Sequence, residues 1–129
     1  MHLLIPAGLL IAAVIHLAPL AGVLGVARLE TLYGIAVTEP NLEILLRHRA
    51  VLFGLLGVLL VLAVFRPELR TVALSAGIVS AASFLVIVAQ APLCNAALRR
   101  VVVADVVALA ALAVAALAQW ALVEPASPR

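Results

Sequence analysis

The chain has 129 residues, of which 67% are hydrophobic and 11% charged, and its mean hydropathy is +1.34. A soluble domain of this length needs far more polar surface, so a water-exposed globule is excluded and one small membrane domain is expected. The net charge of +2 comes from eight Arg and no Lys against six acids; with no basic stripe or aromatic platform, nucleic-acid binding is excluded.

The N-terminal stretch "MHLLIPAGLLIAAVIHLAPLAG" lacks the charged start of a secretion signal, and its apolar run continues to Ala27. A retained first span over residues 3–27 is therefore expected. Pro19 predicts a break in it, because proline removes a helical hydrogen bond and clashes with the preceding turn. His16 lies just before that break, near mid-membrane, as an interhelical hydrogen-bonding group or a base.

The second span is expected over residues 42–65. Thr38, Glu39 and Pro40 read as its start: a hydroxyl cap, an acid, then a proline in the first turn. Glu43 and Arg47 stand four apart in the favourable order for a surface pair. Ala50 to Phe65 is 16 residues, about 24 Å of helix against a hydrocarbon core of about 30 Å. Arg47, His48 and Arg49 are thereby drawn toward the membrane. They either snorkel back to the surface or line a cavity.

"RPELR", residues 66–70, predicts a tight turn into a third span over 71–91, ended by Pro92. Ser80, Ser83, Gln90 and then Asn95 form a polar stripe toward one end, although such serines commonly bond their own helix. "PLCNAALRR" leads to the fourth span over 101–123, followed by the polar tail "EPASPR". Asp105 stands six residues past Arg99, about 8–9 Å deep, where an ionisable group is a functional candidate by default. Its alternatives are a structural ion pair with Arg47 or Arg49 and a protonated bystander without a role.

Lipid offers the backbone no hydrogen-bond partner, so the spans must be helices, and short connections make them antiparallel neighbours. The expected fold class is all-α, a bundle of four antiparallel transmembrane helices. Gly22, Gly25, Gly54, Gly57 and the fourth span's alanines supply small packing faces. Trp120 is expected to anchor at the membrane interface. Arg28, Arg47, Arg49, Arg99 and Arg100 mark one side, against Arg66, Arg70 and Arg129 on the other. The positive-inside rule then puts both termini outside.

The polar groups gather in one half of the bundle. Asp105, Glu43 and His48 are the candidate acid–base groups. Arg49, Arg47, Asn41, Gln90, Ser83 and His16 are the candidate ligand contacts. The single Cys94 and three scattered histidines show no metal-ligand spacing, so neither a metal nor a cofactor is expected.

"LYGI....PNLEILLRHRAVLFGLLG", with a small-residue fourth helix opened by "RRVVVAD", resembles a group of uncharacterised four-span bacterial membrane proteins. More distantly, it is similar to the DoxX-like four-helix families. The resemblance covers most of the chain and implies a multi-pass protein of the bacterial inner membrane, with no assigned chemistry. Proteins of this look are sometimes labelled phosphopantetheine adenylyltransferase. That label requires a phosphate-cradling loop and a His-x-Gly-His motif, and this chain has neither.

Three functions follow from the residues. The first is a pocket that binds, and in one variant transforms, a lipophilic small molecule. The second is a non-catalytic subunit packing on itself as a homo-oligomer or on a partner. The third is an oligomeric proton-coupled transporter using Asp105. All three have the lipid bilayer as their first partner.

Overall fold

The computed structural model describes residues 2–91 and 93–123. The polar tail and Arg129 lie outside the described residues. Helix α1 (Leu4–Leu17) runs into a 3-10 segment, Ala18–Leu24, followed by the short α2 (Val26–Tyr33). Then come α3 (Pro40–Phe65), a 3-10 turn at Pro67–Leu69, α4 (Arg70–Gln90) and α5 (Ala96–Val123). Four helical stretches, counting α1 with its 3-10 extension, are long and apolar enough to cross a membrane. The chain is an all-α, up-and-down bundle in which α1 packs on α3 and α5, and α4 packs on α5 and more thinly on α3.

The α-helical part of the first span ends at Leu17, as proline at position 19 requires. The residues after it depart from the expected uniform span. Gly25 turns the chain with φ 136° and ψ 178°, and a Cβ there would meet nothing within 4 Å. It is therefore a conformational glycine and not the packing residue its neighbours suggested. α2 then folds back with Leu29 and Tyr33 buried. An eight-residue amphipathic helix between two spans was not expected, because its few polar residues resemble an ordinary connection.

Helix α3 begins two residues before the expected span, as the start signal at Thr38, Glu39 and Pro40 predicted, but its cap is Glu39, not Thr38. The Glu39 carboxylate accepts from the N–H groups of Asn41 at 3.0 Å and Leu42 at 2.8 Å. Those backbone donors hold its carboxyl below the usual carboxylate range. At 26 residues α3 is about 39 Å long, so its first turns stand clear of the ~30 Å core. Glu43 and Arg47 pair there at 3.1 Å, as their spacing predicted.

The core is built on small side chains: alanines 12, 13, 63, 73, 108, 115 and 118 pack with Ile5, Leu9, Leu60, Leu74 and Leu112. Between lipid-facing helices the hydrophobic effect contributes little, so close backbone approach carries the packing. The tightest example is Gly8 in α1, where an added Cβ would lie 2.5 Å from the Ala111 carbonyl oxygen in α5. Gly54 and Gly57 receive Leu20 and Leu17, the packing role read from the sequence. Trp120 is exposed near the end of α5.

The end of the bundle at the α3–α4 turn is tied by polar bonds. The Arg70 guanidinium donates to the carbonyls of Ala63 at 3.3 Å and Val64 at 3.4 Å, which satisfies the end of α3. Gln119 donates to the Thr71 hydroxyl at 2.9 Å. No polar group was expected within the membrane in that half of the bundle. Gln119 is the exception: its amide nitrogen is bonded across α4 and α5, while its Oε1 is buried without a partner.

Candidate functional site

The break after Leu17 opens the bundle on one side. The Ala18–Leu24 segment packs on α3 and scarcely touches α5, leaving a gap that α2 covers like a roof. The roof is fastened by Asn95, which starts α5. Its amide donates to the carbonyls of Tyr33 at 2.9 Å and Gly34 at 3.2 Å. Its side-chain oxygen accepts from the Leu98 N–H at 2.7 Å. One side chain thus caps α5 and closes α2, while Glu30 accepts from the Val37 N–H at 2.9 Å and holds the following loop.

The two roles of Asn95 can be separated. Asn95→Asp keeps the acceptor for Leu98 but loses the donors to Tyr33 and Gly34. It is expected to quicken amide exchange in α2 while the first turn of α5 stays protected. Asn95→Ala is expected to expose both and to cost about 1–2 kcal/mol, the usual worth of a lost cap. Hydrogen exchange read by peptide mass checks both variants.

Beneath the roof is a cavity of about 300 Å³. Its apolar wall comes from the α1 break and α5, including Ile15, Pro19 and Val101. Its polar groups are Arg49 from α3, Asp105 and Arg100 from α5, and Thr31 and Tyr33 from α2. Arg49 and Asp105 each stand nine residues into their helices (49 minus 40, 105 minus 96), so both lie about 13 Å along them. The bundle therefore sets the two side chains at one level.

Arg49 is held by rings. Its guanidinium carbon lies 4.8 Å from the centroid of Phe53, 5.2 Å from Tyr33 and 5.8 Å from Phe84. Each such contact contributes about 0.5–2 kcal/mol, depending on how dry it is. None of the rings' faces supplies a hydrogen-bonding oxygen. Among the described residues the ion pairs are Arg47–Glu43 and Arg66–Glu68, so Arg49 has no carboxylate partner within 4.0 Å.

Asp105 is only 4% exposed, and it too has no hydrogen bond or ion pair among the described residues. The expected structural pair with Arg47 or Arg49 is not formed. His16 and Arg49 are the basic side chains close enough to act on Asp105. His16 is buried behind the cavity wall, stacked at 5.6 Å on Phe53. Its Nδ1 donates to the Ala12 carbonyl at 2.8 Å, so that nitrogen carries the proton, and its Nε2 has no partner. The Tyr33 hydroxyl is likewise buried without a partner.

Of the residues singled out from the sequence, Arg49, Asp105 and His16 come together. The others lie elsewhere. Glu43 and Arg47 pair with each other at the surface, and His48 is exposed. Asn41 is exposed and donates to Glu39 at 2.7 Å. Gln90 is exposed near the end of α4, and the Ser83 hydroxyl donates to the Ser80 carbonyl at 3.0 Å. Ser80 lines a smaller cavity of about 190 Å³ with Leu52 and Leu56, separated from the larger one by Arg49 and Phe53. No cluster of three His, Cys, Asp or Glu side chains suited to a metal ion occurs among the described residues.

Sequence reasoning missed the aromatic cage and Thr31, and it read Arg100 only as a topology signal. Tyr33 had a signal in the apolar spacing of "LETLY", an amphipathic turn ending in the chain's one tyrosine. Phe53 had one too, standing four residues after Arg49 on the same helix face. Phe84 had none.

Compared with known proteins, the chain matches no protein-family description, no curated protein and no solved structure.

Proposed function

We propose that this multi-pass membrane protein binds a lipophilic small molecule, holding its polar head beneath α2 and its apolar part against α1 and α5. One observation carries the reading: a guanidinium caged by three rings lines a cavity and has no hydrogen bond or ion pair among the described residues. Arg49 is half-buried, and a few polar groups converging on an otherwise apolar pocket are a feature of binding sites. Asp105 and the Tyr33 hydroxyl, unmet at the same level, add to it. The likeness to four-span DoxX-like proteins of the bacterial inner membrane belongs to the same proposal, and the up-and-down order of the helices supports it.

A transport path across the bundle is the less favoured reading. Leu9, Leu60 and Leu112 are fully buried in one cluster between the cavity and the Gln119–Thr71 bond. A scaffold role has no need of the unpaired Arg49 and Asp105.

Native mass spectrometry of gently extracted protein tests the proposal. A discrete adduct is expected on the native chain. It should vanish in Ala104→Trp, which fills the cavity from α5 without removing a charged group. An adduct that survives Ala104→Trp in a folded variant, or no adduct at all, would sink the reading.

A further inference from the structure

The charges around the cavity bear on what kind of head it takes. Three ionisable side chains line it: Arg49 and Arg100, of fixed positive sign, and Asp105, giving a net charge of +1 when its carboxyl is ionised. The donors outnumber the acceptors as well. Arg49 offers a guanidinium fork with no hydrogen bond among the described residues, and the Tyr33 hydroxyl is unpartnered. The Thr31 hydroxyl already donates to the Ala27 carbonyl at 2.8 Å. A head rich in acceptor oxygens meets both imbalances, and a planar fork is matched best by an oxyanion accepting two parallel hydrogen bonds.

Size and Asp105 narrow the class. A cavity near 300 Å³ is at the small end of ligand sites, enough for one head and the first part of one chain. Asp105 is 96% buried (100 minus 4) on the cavity wall, so a second negative charge on the head would face it in a poorly solvated space. A single negative charge brings the lining to neutrality; a double one does not.

We infer that the ligand is a single-chain lipid with a monoanionic oxyanion head, gripped by Arg49, with an ionised Asp105 excluding doubly charged heads. This rests on the binding function proposed above. The oxyanion chemistry is shared by alkyl carboxylates and alkyl phosphates, and Asp105 favours the carboxylate.

The test is a binding titration of the full chain in nanodiscs of neutral lipid. The probes share one tail length: dodecanoate, dodecanol, dodecyl phosphate and dodecyltrimethylammonium. Dodecanoate is expected to bind about tenfold tighter than dodecanol, the order expected of a charge-assisted bidentate bond. Arg49→Gln should erase that preference. If Arg49→Gln does not fold, Arg49→Lys keeps the cation in the cage, loses the fork, and should weaken dodecanoate while leaving dodecanol unchanged. Asp105→Asn should tighten dodecanoate several-fold and admit dodecyl phosphate, which the native chain should bind poorly.

Equal binding of dodecanol and dodecanoate, both lost in Ala104→Trp, would overturn the anionic head and leave the lipid-binding function standing. Tightest binding of dodecyltrimethylammonium would overturn it in favour of recognition by Asp105. Tightest binding of dodecyl phosphate to the native chain would overturn the exclusion by Asp105. Failure of every probe on the folded native chain would overturn the binding function itself.

Discussion

Gly8→Leu is expected to abolish assembly of the bundle, the largest effect of any single substitution the structure allows. A Cβ at this position would stand 2.5 Å from the Ala111 carbonyl oxygen and 2.8 Å from the Ala115 methyl. The methyl could be trimmed, but the carbonyl belongs to the backbone of α5 and cannot move alone. Gly8→Ala already forces the two helices apart and is expected to cost about 1–3 kcal/mol, the usual range for overpacking. Leucine would separate α1 from α5 along their whole contact. Ala7→Leu, one residue earlier on the exposed face, should be neutral. Thermal unfolding in detergent, read beside size-exclusion profiles, checks all three. Equal midpoints for Gly8→Ala and the native chain would show that α1 and α5 do not approach this closely.

Asp105→Leu is expected to act in the opposite sense and raise the stability of the ligand-free protein. Asp105 is only 4% exposed, and its carboxyl group lines the cavity without a hydrogen bond or ion pair among the described residues, whereas leucine of similar length would pack against Val101 and Ala104. Relief of one unmet buried polar group amounts to about 1–3 kcal/mol. The same substitution should remove discrimination between singly and doubly charged heads, so stability and selectivity move apart. Residues that break local rules at a cavity commonly show this trade. A lower midpoint for Asp105→Leu than for the native chain would mean that Asp105 is structurally paired after all. Unfolding midpoints measured before and after delipidation make the comparison.

Most of the frame was legible because it is a matter of length and hydropathy. The four spans, the break at Pro19 and the Glu43–Arg47 pair follow from spacing that lipid and helix geometry impose. Arg49, Asp105 and His16 were legible for a related reason, since ionisable groups inside apolar helices stand out. What remained hidden depends on rotation about the helix axes. Gln90 and Ser83 shared a face in the sequence, and that face turned out to look outward. The cage could not be read as a unit, because Tyr33, Phe53 and Phe84 come from three helices and meet only after packing. α2 escaped notice because eight residues carry too little periodicity, and its burial depends on Asn95, some sixty residues away.

The sealed far end has a consequence of its own. A bilayer has two leaflets, which need not share a composition. Leu9, Leu60, Leu74 and Leu112 close the bundle below Arg49 and Asp105, and the Arg70 and Gln119 bonds lace its far rim. A molecule can therefore come and go only on the side of α2. On the binding function proposed above, the occupant would be drawn from one leaflet and returned to the same one, and the opposite leaflet would not exist for it.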